Sequence, residues 1–147
     1  MTSVVVPLVG VFLGAVGALL GTYLSNRVTQ RQADDAKAAA LRAEYKAAIE
    51  AFLEVAQSVE QAAERLYREV GLPGDVGSRT HQMWYRQKCI ELVCSAALNE
   101  KTKDYAYRMS DACYQELPAG INIWEYLRQC RDPFLAAARH ELGIPQP

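Results

Sequence analysis

The chain has 147 residues, 50% of them hydrophobic, and its 16 Lys and Arg nearly balance 17 Asp and Glu. That balance argues against nucleic acid as a partner, because such binders carry a basic excess or patch. The four cysteines make no CxxC pair and the two histidines stand apart from them, which argues against a structural zinc site and predicts no metal or cofactor.

The N-terminal element is the run VVVPLVGVFLGAVGALLGTYL over residues 4–24, without a charged side chain. As a helix it spans roughly 31 Å, against a hydrocarbon core of about 30 Å. A cleaved signal carries its positive charge before the apolar region. Here the first charged side chain, Arg27, comes after it, so residues 1–25 read as an uncleaved transmembrane anchor. Arg27, Arg31, Lys37, Arg42 and Lys46 crowd the C-terminal flank, which puts the N-terminus outside and residues 26–147 in the cytoplasm. Arg27 and Arg31 are placed to reach anionic lipid headgroups.

Within the span Gly10, Gly14, Gly17 and Gly21 fall on one helical stripe, as GVFLG and GALLG. Such a row lets a second backbone approach closely, so it predicts packing against another copy or another membrane protein.

From residue 30 to 70 the composition is that of a long helix, without Gly or Pro. Leu41, Tyr45, Ala48, Phe52, Val55, Val59, Ala62 and Leu66 form a heptad seam. A second row, Ile49, Ala56, Ala63 and Val70, widens it into a face suited to several partner helices. Nothing after Pro7 interrupts the chain, so anchor and seam read as one continuous helix.

Gly71, Pro73, Gly74 and Gly77 mark a loop over residues 71–78. A second helix is predicted over 79–98, with residues 99–103 as a polar connection or an exposed turn of continuing helix. A third follows over 104–117. The last, over 122–142, opens on Asn122 with Glu125 in the capping-box position and kinks or restarts at Asp132-Pro133. The expectation is all-α: one transmembrane helix running into a long amphipathic helix, which packs with three more in a small cytoplasmic bundle.

No nucleophile elbow, phosphate loop or HExxH motif is present, so no catalytic residue is assigned. The cysteines read as reduced thiols in the core. Trp84 and Trp124 are the candidate partner contacts, since Trp concentrates binding energy, although packing of the bundle is the commoner use of such residues. No small-molecule substrate is indicated.

EYKAAIEAFLEVA after the anchor and FLAAARHELG near the C-terminus resemble a loose class of small membrane-anchored proteins of high-GC Gram-positive bacteria. The resemblance implies a bacterial inner-membrane setting and assigns no site. Three functional classes follow from the reading as a whole. The first is a non-enzymatic anchored scaffold or assembly subunit. The second is a toxin-like or holin-like effector that oligomerises through its glycine-rich span. The third is an enzyme with an unfamiliar helical site, which predicts a polar pocket of convergent, perturbed groups.

Overall fold

The computed structural model describes residues 5–68, 74–115 and 121–145, with side chains from residue 25 onward. The protein is all-α, with four helices and no strand among the described residues: α1 (Val5–Tyr67), α2 (Val76–Val93), α3 (Ala96–Tyr114) and α4 (Ile123–Glu141). It divides into two units, Met1–Leu41 and Arg42–Pro147.

In the first unit, residues 25–41 are helical and exposed throughout. Thr29 returns its hydroxyl to the Ser25 carbonyl at 2.9 Å, a bond within the helix itself. The side chains of the expected anchor, residues 4–24, lie outside the described residues, and so does the glycine row. Among the described residues no helix is long and apolar enough to cross a membrane.

The second unit is a four-helix bundle whose helix directions follow from pairs of touching residues. α2 and α3 run antiparallel: Thr80 meets Tyr114, Trp84 stacks on Tyr107, and Gln87 bonds Asn99. α3 and α4 do the same, since Arg108 lies over the Tyr126 ring at 4.4 Å while Ser95 meets Glu141. α4 runs against α1, with Tyr67 bonded to the Ile121 carbonyl at one end and Phe52 against Phe134 further along. Arg79 at the start of α2 reaches the Ser58 carbonyl of α1. The topology is therefore up-down-up-down, the natural result of short connections.

Phe52, Tyr105 and Phe134 supply the centre of the core from α1, α3 and α4, with ring centroids 5.3 to 6.2 Å apart in tilted and edge-on geometry. Such contacts add about 0.5–1.5 kcal/mol per pair beyond the area they bury. Met83 and Ile90 of α2, Leu98 and Met109 of α3 and Leu127 of α4 complete it, all buried.

The buried stripe of α1 runs between the two rows expected from sequence. Its centre line is Ile49, Phe52, Ala56, Val59 and Ala63, which takes members from both. Tyr45, Val55 and Leu66 from the expected seam are only half-buried. Leu41 is 47% exposed and belongs to the first unit, so the seam starts later than its periodicity suggests. Apolar spacing marks a face, but neighbouring helices decide where along it burial begins.

Three boundaries differ from the sequence reading. Helix α2 begins at Val76 rather than 79, because buried Val76 and Thr80 pack inward and Arg79 closes the first turn on Asp75 at 2.8 Å. The break between α2 and α3 falls at Cys94 and Ser95, so residues 99–103 belong to α3. Ser95 is extended and its hydroxyl oxygen accepts from the Leu98 amide at 3.3 Å, a helix N-cap. Its own amide and hydroxyl donate to the Glu141 carboxylate at 2.8 and 2.6 Å, a partner distant in sequence. Finally, α4 passes through Pro133 without restarting. Pro133 is exposed, while buried Leu127 and Phe134 on either side hold the helix against the core. Such packing offsets the missing amide hydrogen bond. Asn122 is the N-cap as expected, although its side chain accepts from the Trp124 amide at 2.9 Å. The loop around Gly71 and Pro73 lies outside the described residues.

Candidate functional site

The two tryptophans serve the bundle. Trp84 is half-buried, packs on the core and meets Tyr107 edge-on at 4.8 Å, and Trp124 packs half-buried at the start of α4. Arg27 and Arg31 are exposed on the first unit. Cys113 is buried in the core, with its thiol toward the Val59 carbonyl, while Cys89, Cys94 and Cys130 are half-buried free thiols. Burial pushes the Cys113 thiol up to about 11; burial, then Glu141 and Glu44, do the same for Cys94. Both therefore stay protonated near neutral pH and are poor nucleophiles. Among the described residues no three His, Cys, Asp or Glu side chains come together in a way that would hold a metal ion.

A concavity lies between α1 and α4. Two adjoining clefts of about 450 and 460 Å³ share Leu53 of α1 and Leu135 of α4 in their walls. Because the helices run antiparallel, Ile49 and Leu142 mark one end of the groove and Glu60 and Arg131 the other. The α1 rim carries Glu50, Glu54 and Gln57, and the α4 rim Arg131, Asp132 and Arg139. Charge of opposite sign thus predominates on the two rims, with leucines between them.

At its Glu60–Arg131 end the groove reaches a polar knot. The Tyr105 hydroxyl donates to a Glu60 carboxylate oxygen at 2.6 Å, and Arg131 lies 3.8 Å from the same oxygen. Glu60 is 9% exposed, so these partners are what makes its burial tolerable. Burial, and then the bond to Glu60, raise the Tyr105 phenol above its ordinary value. Tyr105 therefore holds its proton, and the knot ties α1, α3 and α4 together rather than supplying a base.

No protein-family model, curated protein or solved structure matches this chain. The groove must be interpreted from its own residues. Its polar rim was not singled out in the sequence, although Glu50, Glu54 and Gln57 share one helical stripe beside the seam. That spacing marks a shoulder of α1; it says nothing about which helix leaves the shoulder open.

Proposed function

We propose that this chain is a non-enzymatic, single-pass membrane-anchored helical protein that serves as a scaffold or subunit of a membrane-associated assembly. The N-terminus is placed outside and the bundle in the cytoplasm, at the inner membrane of a bacterial cell. The observation that carries this reading is the uncharged run over residues 4–24, followed at once by Arg27 and Arg31. It is supported by α1, one helix from Val5 to Tyr67 whose later turns supply a wall of the bundle. Gly10, Gly14, Gly17 and Gly21 give the span a seam for another copy or a different membrane protein.

The test is extraction of membranes holding the full chain with alkaline carbonate, beside a variant lacking residues 1–25. The full chain is expected to stay in the pellet and the shortened chain to leave it. Protease added to intact spheroplasts should spare the bundle and cut it only after permeabilisation. Release of the full chain by carbonate would remove the anchor from the proposal. A full chain toxic on expression, and harmless as Gly14→Leu, would favour the effector reading instead.

A further inference from the structure

The polar knot leaves one acceptor open. Tyr105 and Arg131 both address Oε1 of Glu60, and Oε2 of that carboxylate has no hydrogen-bond donor among the described residues. The sealed side-chain atom left without a partner among those residues is Oε1 of Gln87, on α2. Oε2 of Glu60 is therefore not sealed, and it opens on the cleft of about 460 Å³ that Glu60 lines. The wall of that cleft carries three carboxylates, Glu50, Glu54 and Glu60, against one guanidinium, Arg131. Arg131 is itself divided between Glu60 at 3.8 Å and Asp132 at 3.9 Å. Glu54 is exposed without an ion-pair partner among the described residues, and Glu50 has only Lys46, at 3.7 Å. The Phe52–Phe134 contact between antiparallel helices puts Asp132 at the level of Glu54, across the groove. Arg139 stands about two turns further on, toward the Ile49–Leu142 end, and exposed Arg128 lines neither cleft. Negative charge thus exceeds positive from Glu54 to Glu60.

We propose that this cleft binds a linear aliphatic polyamine. Leu53, half-buried, and Leu135, 38% exposed, offer methyl surface to its carbon chain. Oε2 of Glu60 accepts from one ammonium at the buried end, where a charge-assisted hydrogen bond is strongest. Glu54 and Glu50 take further ammonium groups toward solvent. Along α1 these two lie about 9 and 15 Å of rise from Glu60. A single ammonium reaches one of those levels, whereas a polyamine carries several cations on one apolar chain. The spacing therefore selects a polyamine over a simple amine. It also sets aside a bare divalent cation, since no three carboxylates, thiols or imidazoles converge on one point among the described residues. The site does not depend on the membrane anchor, because all its residues belong to the bundle.

The experiment is isothermal titration calorimetry of the full chain in a non-ionic detergent, with spermidine as the probe. Butylamine and magnesium chloride are the comparison titrants, all at one ionic strength. Spermidine is expected to bind saturably, one per chain, and both comparison titrants at least about tenfold more weakly. Glu60→Gln keeps an acceptor for Tyr105 and turns an amide donor to the cleft, so it should weaken spermidine at least about tenfold. Glu50→Gln/Glu54→Gln, at two exposed positions that the fold does not need, should weaken it about fivefold. That pair keeps the test decisive if circular dichroism shows Glu60→Gln unfolded. Glu100→Gln/Glu125→Gln changes net charge equally, at exposed positions outside the cleft, and should leave binding as it was. Absence of saturable spermidine binding would overturn the proposal. So would magnesium or butylamine binding as tightly, and so would equal weakening by the outside pair, which would reduce the effect to diffuse charge.

Discussion

Helix α1 places two Ala-rich stretches in two surroundings. Residues 25–44 and 45–63 are both helical and both rich in Ala, but only the second carries a run of large apolar residues, Ile49, Phe52, Leu53, Val55 and Val59. Every residue of the first stretch is exposed, whereas Ile49, Phe52, Ala56, Val59 and Ala63 of the second are buried. The contrast teaches that helix formation here is a local property and burial is not. Ala, Glu, Lys and Arg favour the helix wherever they stand. Only the arrival of α2, α3 and α4 turns one side of it into a core.

The sharpest way to break this comparison is to truncate an apolar side chain in each stretch. Phe52→Ala should cost about 3–5 kcal/mol of unfolding free energy, as expected for an aromatic ring lost from a core. Leu41→Ala should change it by less than about 0.5 kcal/mol. Urea unfolding of the full chain in detergent measures both, and comparable losses would mean that Leu41 is covered. Next in size is Tyr105→Phe, which takes the phenol donor from buried Glu60 and should cost about 1–3 kcal/mol. Tyr85→Phe, on an exposed face of α2, is the matched control and should be silent.

A smaller effect is expected at the α2–α3 corner. Ser95→Ala removes the N-cap and one of the two bonds to Glu141, for a loss of about 1 kcal/mol. Hydrogen exchange should then quicken at the Leu98 amide while amides around Val59 keep their protection. Uniform loss of protection would show that the corner and the core open together.

The last prediction concerns alkaline pH. Burial raises the Cys94 and Cys113 thiols from 9.0 to about 11. Between those values the unfolded chain releases protons that the folded chain keeps, so unfolding becomes more favourable as pH rises. This contribution is complete below about pH 9 and lost toward pH 11, and the raised Tyr105 phenol acts in the same sense at higher pH. The melting temperature should fall across that window, and less steeply in Cys113→Ala. An unchanged slope in that variant would place the titration elsewhere.

Much of the bundle was legible without coordinates. The Asn122 cap and the long first helix each follow from neighbours within a few residues. The α2–α3 corner was not legible, because no Gly or Pro marks it and the partner that holds Ser95, Glu141, lies at the far end of the last helix. Nor was passage through Pro133, where local rules disfavour a helix and only packing of Leu127 and Phe134 sustains it. Among candidate site residues, Trp84 and Trp124 were identifiable by type, and packing of the bundle was already the commoner expectation for them. The groove rims were visible as charges without a place.

The sequence by itself determined the class of this protein: all-α, with four helices among the described residues, a nearly balanced charge and an uncharged apolar run over residues 4–24. These depend on composition and on spacing within single helices, where each residue interacts with others three or four positions away. Tertiary structure decided which side of α1 is buried, where the chain turns into α3, and that α1 and α4 leave a charged groove between them. Those outcomes arise from contacts between residues far apart in sequence, such as Phe52 with Phe134 and Ser95 with Glu141, and no local pattern encodes which of them will meet.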